Sequence, residues 1–323
     1  MIFKKRYFVI IGLILLAVIL FTIDLKKTVS IILSSNPFYL LPVLFFTALA
    51  VIGKGLKWKQ IISAQGSSIS LSDSTRIFCS GFFLSILTPG RIGDLARAFY
   101  LKDKMPLGAA ISTIVIDRII DVVVLLSLSA FSIIALTYFF GITFISLELL
   151  LFLLILFIIF CALFFNRGIV RFLLKPFYKI LVPEKFKKKL KLSFSSFYNS
   201  LVLIFSRKKP VASAVLIAFI TWLFSILIGY FISCSLGLNV PFYFFVLLIP
   251  VLSLIEVIPI SISGFGTREA TAIFLLSVYQ ISAEQAVAFS LTYFFFAYLL
   301  VASLGAFFFL LKPISLSPLS GGA

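Results

Sequence analysis

Apolar residues dominate this chain in stretches of about twenty, separated by short polar segments. A membrane-spanning helix needs roughly 20 apolar residues. Six stretches are long enough, and they cover residues 7–23, 38–56, 107–139, 144–165, 211–236 and 284–311. The stretch 107–139 is long enough to be tilted or to extend beyond the membrane. The pattern therefore predicts an all-α, polytopic membrane protein with about six full transmembrane helices.

Two further apolar stretches, residues 75–102 and 242–281, are each interrupted by glycine, proline and charged residues. The interruptions cover residues 88–97 and 259–269. At membrane depth, non-helical backbone and ionisable side chains are tolerated only where they are buried in protein or line a wet cavity. We therefore predict two re-entrant hairpins, each made of two half-helices joined inside the membrane. Paired interruptions in the two halves of a chain indicate a transporter-like binding site.

Composition agrees with a membrane protein. Hydrophobic residues make up 62% of the 323 residues, and the mean hydropathy is +1.23, whereas soluble domains are about half apolar. The net charge of +17 would suggest a nucleic-acid partner in a soluble protein. Here the basic residues lie between apolar stretches and no recognition motif is present, so we expect membrane lipids as partners and no nucleic acid.

The basic residues also predict an orientation. With a cytoplasmic N-terminus and hairpins that do not cross, 22 of the 28 Lys and Arg residues lie inside, two lie outside and four lie within spans or hairpins. This is the bias of the positive-inside rule. It predicts a multi-pass protein of the cell membrane with both termini cytoplasmic. No small-residue cleavage site follows the first apolar run, so we predict a retained helix there and not a signal peptide.

In this topology the first hairpin enters from the cytoplasm and the second from the opposite face. The predicted single membrane domain, residues 1–314, then divides into two inverted repeat units at about 1–140 and 144–312. Residues 315–323 are rich in Ser, Pro and Gly and are predicted to form a disordered tail. For the basic segment 166–210, two interpretations are open: an interfacial elbow on the anionic inner leaflet, or a charged loop that only sets topology.

Several chemistries are excluded by residue type. The chain has no histidine, which removes His-based acid–base chemistry, His metal sites and the Ser-His-Asp arrangement. Cys79, Cys161 and Cys234 lie singly in apolar runs, and we predict that they are small buried hydrophobes. We predict no cofactor.

The first interruption places three charged residues at helical spacing. Arg91, Asp94 and Arg97 are three residues apart, so a helix restarting after Pro89 and Gly90 would carry them on one face. Such a helix start offers free N–H groups and a partial positive charge, and guanidinium forks suit phosphate. The set either binds an anionic lipid head group, or Asp94 pairs with an arginine and holds the hairpin shut.

The second interruption repeats this logic with smaller polar groups. Ser261 and Ser263 offer neutral hydrogen bonds, while the neighbouring glycines allow close approach of the backbone. Arg268 and Glu269 follow at the start of the next helix. Glu256 is a lone carboxylate in an apolar run, and it is either the partner of a buried arginine or a protonation site.

Three more ionisable residues lie deep in the third full span. Asp117 and Asp121 are four residues apart on one helical face, and Arg118 is three residues before Asp121. Ionisable residues inside a membrane mark a functional site by default. We expect the carboxylates to pair with the three arginines of the interruptions. Tight pairing would make the group structural, whereas a spare carboxylate could couple proton movement to transport.

The sequence resembles the lysylphosphatidylglycerol synthase transmembrane family, the flippase-like part of multiple peptide resistance factors, over about residues 5–312. The segments that carry the resemblance are residues 57–58 (Lys-Trp), 81–83 (Gly-Phe-Phe), 88–98, 117–121 and 259–270. The family often has Glu at the positions of Asp94 and Asp117 and Gly at that of Ser263, which conserves charge or small size. No soluble aminoacyl-transferase domain follows residue 312 in this sequence, so the resemblance implies the lipid-translocating half alone.

The sequence leaves three hypotheses. The first is a translocase, not an enzyme, for a phospholipid or a polyprenyl-phosphate-linked intermediate. The second is a membrane enzyme acting on a lipid-linked sugar, with Asp117 and Asp121 binding a divalent metal. The third is a non-transporting partner of a separate synthase or glycosyltransferase.

Overall fold

The computed structural model describes residues 18–19, 21–142, 147–172, 184–257 and 264–313. Within these ranges the chain is helical and contains no strand, in agreement with the predicted all-α class. Most of the predicted first span, the candidate residues Ser261 and Ser263, and the predicted tail 315–323 lie outside the described residues.

The described part of the chain is a series of helices. In chain order they are α1 Leu25–Leu33, α2 Pro37–Ala64, α3 Leu71–Leu87, a 3-10 segment Pro89–Leu101, α4 Leu107–Phe140, α5 Leu147–Phe165, α6 Glu184–Ser206, α7 Lys208–Ser235, α8 Phe242–Val257, α9 Thr267–Leu276, a 3-10 turn Ser277–Tyr279, α10 Ala283–Phe294 and α11 Leu300–Leu311. A π-helical turn, Phe295–Leu299, joins α10 to α11.

Four helices of the described chain are long and apolar enough to cross a membrane. They are Pro37–Ala64, Leu107–Phe140, Lys208–Ser235 and Ala283–Leu311, and each matches a predicted span. At 1.5 Å per residue, the 34 residues of α4 measure about 50 Å, more than the roughly 30 Å hydrocarbon core. The predicted span 144–165 corresponds to α5, where Leu154–Phe165 forms a shorter apolar helix. The total of six spans stays a prediction.

Side-chain caps and one glycine explain several helix ends. The Asn36 side chain accepts a hydrogen bond from Phe38 N before α2, with Pro37 in the first turn, where it has no helical partner to lose. The Ser70 side chain caps α3 in the same way. Gly141 ends α4 with φ +65°, a left-handed conformation that favours glycine.

The helices of the two halves pack reciprocally. α2 lies along α7, α3 packs on α11 of the second half, and α8 packs on α4 of the first half. The α3–α11 contact is close because of Gly305, where an added Cβ would lie 2.1 Å from the Cys79 carbonyl oxygen. The helix that precedes each interruption therefore packs on a helix from the other half of the chain. The interruptions at residues 88–97 and 259–269 are called the first and the second break below.

The α8–α4 contact supplies hydrogen bonds at a proline. Pro250 lies inside α8 and cannot donate to the carbonyl of Val246. The hydroxyl of Ser132, on α4, donates to that carbonyl at 3.4 Å, and Ser129 donates to the Pro250 carbonyl at 3.1 Å. These hydroxyl groups donate to backbone carbonyl groups at a depth where no water is available to do so.

The second part of the basic segment 166–210 is a packed helix, which neither interpretation of the sequence included. α6 packs on α4, and it buries Tyr198, Leu201 and Ile204. Gly108 allows the close approach, since an added Cβ would lie 1.9 Å from the Ser193 carbonyl. Residues 173–183 of this segment lie outside the described residues.

Candidate functional site

The first break resumes as a 3-10 helix and not as the expected α-helix. α3 ends before Thr88, whose hydroxyl accepts a hydrogen bond from Gly93 N at 2.7 Å. Arg91 adopts φ +58° and is exposed. The 3-10 repeat of three residues per turn keeps Asp94 and Arg97 together. The expected shared face of three charged residues therefore holds for Asp94 and Arg97, while the left-handed backbone at Arg91 directs that residue elsewhere.

Seven ionisable residues form the first charge cluster, between the 3-10 segment, α2 and α4. Its members are Lys54, Lys57, Asp94, Arg97, Asp117, Arg118 and Asp121. Arg97 Nη2 lies 2.8 Å from Asp94 Oδ2 and 3.0 Å from Asp117 Oδ2. Arg118 Nε lies 2.6 Å from the same Asp94 oxygen. The carboxylates of the third predicted span thus meet an arginine of the first break.

Sequence reasoning missed the two lysines of this cluster. Lys57 Nζ lies 2.9 Å from Asp117 Oδ1 and 2.7 Å from Asp121 Oδ1, and Lys54 Nζ lies 2.8 Å from Asp121 Oδ1. The charge count placed both lysines on the cytoplasmic side, although Lys54 lies at the end of the predicted span 38–56 and Lys57 directly follows it. Their spacing of three residues was the available signal, since α2 continues to Ala64 and carries both on one face.

The first charge cluster has more cations than anions and retains unused donors. Its four cations face three carboxylates, which leaves a net charge of +1. Arg97 is fully buried, and its Nε and Nη1 have no hydrogen-bond acceptor among the described residues. Its guanidinium carbon lies 4.8 Å from the centre of the Trp58 ring. The side chains of Lys54 and Arg118 are 26% and 33% exposed, so the cluster is open on their side.

The second charge cluster consists of Glu256, Arg268, Glu269 and Ser290. Arg268 Nη2 lies 2.7 Å from Glu269 Oε1, and its Nε donates to Ser290 Oγ at 2.8 Å. Glu269 also accepts a hydrogen bond from Gly266 N at 2.7 Å, at the start of α9. Arg268 Nη1 lies 3.4 Å from Glu256 Oε1. Glu256 is therefore a partner of a buried arginine, one of its two predicted roles.

Tyr298 connects the two breaks. It lies in the π-helical turn between α10 and α11, a geometry found frequently at functional sites. Its hydroxyl donates to Glu256 Oε2 in the second cluster. The guanidinium carbon of Arg91, from the first break, lies 5.9 Å from the centre of its ring. The 3-10 segment and α8 thus approach the same side chain from the two halves of the protein.

A glycine makes room for a charged side chain in each cluster. An added Cβ at Gly81 would lie 2.4 Å from Arg97 Cγ, and one at Gly264 would lie 2.6 Å from Glu256 Cγ. Gly264 also has φ +81°, which disfavours any other residue. Each cluster depends on a position where a side chain would clash.

No group of three or more His, Cys, Asp or Glu residues in the described part of the chain could hold a metal ion. Asp117 and Asp121, the carboxylates considered for a divalent metal, both lie against Lys57. Both oxygen atoms of Asp117 and the Oδ1 atom of Asp121 contact cations of the protein.

The sequence matches known membrane proteins along nearly its whole length. Residues 9–305 match the family described as the Lysylphosphatidylglycerol synthase TM region. A UPF0104 membrane protein of Methanocaldococcus jannaschii is 29% identical over 324 residues, covering 94% of this chain and 93% of the relative. A UPF0104 membrane protein of Pyrococcus horikoshii is 26% identical over 313 residues, covering 90% and 91%.

Proposed function

This chain belongs to the lysylphosphatidylglycerol synthase transmembrane family, and we propose that it is a lipid translocase that does not alter its substrate chemically. The substrate is a phospholipid or a polyprenyl-phosphate-linked intermediate, moved between the two leaflets. The observation that carries the proposal is the first charge cluster: a buried, net-cationic network with unused donors at a helix break. Family membership supports a lipid-related role in the membrane.

The chemistry of the first cluster suits a phosphate group. Burying charged groups among apolar helices is costly, and ionisable residues in such helices mark substrate or ion pathways. Arg97 offers two nitrogen atoms, Nε and Nη1, that have no described acceptor, and guanidinium groups bind phosphate through paired hydrogen bonds. The exposed parts of Lys54 and Arg118 provide a cationic approach to the cluster. A phosphate group would use these donors and offset the excess positive charge.

The candidate residues divide into two roles. At the first charge cluster, Arg97 holds the phosphate together with Arg118, Lys54 and Lys57. At the second charge cluster, Arg91 and Arg268 hold it. The second role is to balance this charge or to couple protons, and it falls to Asp94, Asp117, Asp121, Glu256 and Glu269. Ser261 and Ser263 are proposed to supply neutral hydrogen bonds to the head group.

The reciprocal packing supports an alternating mechanism. α3 packs on α11, and α8 packs on α4, which is the arrangement expected of two repeats related by a two-fold axis. We propose that the two breaks are re-entrant hairpins that open to opposite faces. Inverted repeats of this kind move against each other around a fixed site in many transporters. The lipid head group would then be exposed to one leaflet at a time.

The remaining partners follow from charge. The basic segment 166–210 is proposed to contact the anionic inner leaflet, with α6 as a packed support, since Lys and Arg near such a surface are each attracted by about 1 kcal/mol. A separate synthase or glycosyltransferase is a proposed supplier of the lipid. Both termini are proposed to be cytoplasmic.

Reconstitution into liposomes tests the proposal. Head-group-labelled phospholipids and polyprenyl phosphates are incorporated, and the loss of label accessible from outside is followed over time. Wild-type protein should accelerate this loss over protein-free liposomes. Arg91→Ala should reduce the rate at least about tenfold, since a charge-assisted hydrogen bond contributes about 1.5–3 kcal/mol.

Arg76→Ala is the matched control. Arg76 is also exposed and also lies 5.9 Å from an aromatic ring, that of Phe308, but Phe308 has no hydroxyl group, whereas the hydroxyl of Tyr298 beside Arg91 binds Glu256 of the second cluster. The Arg76 variant should behave as wild type. Wild-type rates equal to those of protein-free liposomes across all lipid classes would refute the proposal, and so would equal loss in the two arginine variants.

A further inference from the structure

In the second charge cluster, two carboxylates face one arginine, and they are held unequally. Glu269 lies 2.7 Å from Arg268 Nη2, and it also accepts hydrogen bonds from Gly266 N and Ser290 Oγ. Glu256 reaches the same arginine only at 3.4 Å. Glu269 alone therefore neutralises Arg268, and Glu256 is a surplus carboxylate.

The other described polar contact of Glu256 comes from a side chain and not from the backbone. Its second oxygen accepts a hydrogen bond from the Tyr298 hydroxyl. The Glu256 side chain passes close to Gly264, where an added Cβ atom would lie 2.6 Å from Glu256 Cγ. No described backbone N–H donates to this carboxylate, in contrast to Glu269. The carboxylate can therefore leave without breaking the start of α9.

Arg91 is a second cation near Glu256, beside the tyrosine that binds this carboxylate. It makes no ion pair with a described residue, and its guanidinium group lies over the ring of Tyr298, whose hydroxyl binds Glu256. Arg91 and Arg268 thus approach Glu256 from the two breaks. Together with Glu269, these three side chains carry two positive and two negative charges.

We propose that the Glu256 carboxylate occupies the position that the substrate phosphate takes when it is at the second charge cluster, as a resident anion that the lipid displaces. If Glu256 leaves, a group with one negative charge restores neutrality between Arg91, Arg268 and Glu269. A phosphodiester carries one such charge, whereas a phosphomonoester carries up to two. The site is therefore selective for a lipid phosphodiester, whose oxygen takes over the hydrogen bond from Tyr298. This inference rests on the proposed function, because it assumes that the site receives a phosphate group.

Glu256→Gln tests the inference, because it removes the charge of the competing group and keeps its size. Binding is measured by titration calorimetry on the full chain in a maltoside detergent, which contains no phosphate. The probes are short-chain phosphatidylglycerol as the phosphodiester, short-chain phosphatidic acid as the phosphomonoester, and short-chain diacylglycerol without phosphate. Glu256→Gln should bind phosphatidylglycerol roughly tenfold more tightly than wild type, and diacylglycerol no more tightly.

Two control variants separate the site from net charge and from folding. Glu148→Gln makes the same charge change at an exposed position on α5, and it should leave the affinity at the wild-type value. Arg91→Ala in the Glu256→Gln background should remove the gain. If Glu256→Gln does not fold, Glu256→Asp, which withdraws the carboxylate by one methylene group, should give a gain in the same direction.

Three outcomes would overturn the inference: unchanged or weaker binding by the Glu256 variant, an equal gain in Glu148→Gln, or no phosphatidylglycerol binding by either protein. An equal gain for the phosphomonoester would overturn the selectivity. The binding assay does not require transport. A protein that shows the gain but moves no lipid would refute the proposed function alone, and a protein that moves lipid without the gain would refute the inference alone.

Discussion

Replacing Lys57 with methionine should destabilise the protein strongly, although the two side chains have similar length. Lys57 is completely buried, and its ammonium group lies within 2.9 Å of two carboxylate oxygens and 3.1 Å of the Asp117 carbonyl. Without it, Asp117 keeps Arg97 but loses its second cation. Removing one partner of a buried ion pair costs about 3–5 kcal/mol, because the other charge is left uncompensated.

Lys54 provides the comparison within the same cluster. It is 26% exposed and has a single carboxylate partner, Asp121, which also contacts Lys57. Ion pairs that water reaches contribute about 0–1 kcal/mol, so Lys54→Met should cost no more than about 1 kcal/mol. The two lysine variants should therefore differ by about 3 kcal/mol, although each removes one positive charge from the same helix.

Thermal unfolding in detergent, followed by tryptophan fluorescence, measures this difference. Trp58 adjoins Lys57 and is one of only two tryptophans in the chain, so the signal reports on the first charge cluster. At about 2 °C per kcal/mol, the midpoint should fall by roughly 6–10 °C for Lys57→Met and by roughly 2 °C or less for Lys54→Met.

A double variant tests the physical cause. Asp117→Asn removes the charge of one of the two carboxylates that lose a cation in Lys57→Met, so the double variant should be more stable than the sum of the two single effects by about 1–3 kcal/mol. Equal midpoints for the two lysine variants, or strictly additive effects in the double variant, would refute the assignment of Lys57 to a buried ion-pair network.

Three further predictions follow from contacts described above or from the predicted topology. Trp58→Phe should cost about 1–2 kcal/mol in unfolding free energy, since its indole N–H donates to a buried threonine hydroxyl at 3.1 Å; Trp222→Phe, whose indole N–H has no described partner, loses packing but no described hydrogen bond and should cost about 1 kcal/mol less than Trp58→Phe. Gly305→Ala should lower the unfolding midpoint, because the new methyl group would collide with a carbonyl of α3; overpacking costs about 1–3 kcal/mol, and an unchanged midpoint would contradict the close α3–α11 contact. In a cysteine-free background, single cysteines at Lys104 and Ser282 should react with an impermeant reagent from opposite sides of the membrane; labelling from the same side would disprove the inverted topology.

The apolar pattern predicted the helices well because long apolar stretches form the helix surfaces that face lipid or protein and not water. All four long apolar helices of the described chain coincide with predicted spans. The pattern failed at Lys57, since a lysine at the end of an apolar stretch looks the same whether it faces water or a buried carboxylate. It also failed at α6, where the basic residues concealed an apolar face that packs on α4.

The charged residues of the breaks were recognisable as a group, but their partners were not. Spacing correctly joined Asp94 to Arg97, since a 3-10 helix and an α-helix both bring residues three apart onto one face. Spacing could not reveal the left-handed conformation of Arg91. Nor could it identify Tyr298, an aromatic residue among many, because its role depends on a π-helical turn that brings two distant breaks to one hydroxyl and one ring.

The packing of α3 against α11 has a consequence for biosynthesis. Phe78 of α3 contacts Arg97 on one side, and it belongs to the apolar group that α11 completes. Roughly 220 residues separate Cys79 from Gly305, its close neighbour on α11. At about 5–20 residues per second, the ribosome needs roughly 10–45 s to synthesise that interval. During this time the first half of the nascent chain lies in the membrane without α11, which completes the apolar group around Phe78. We expect an insertion factor or a chaperone to act at this stage.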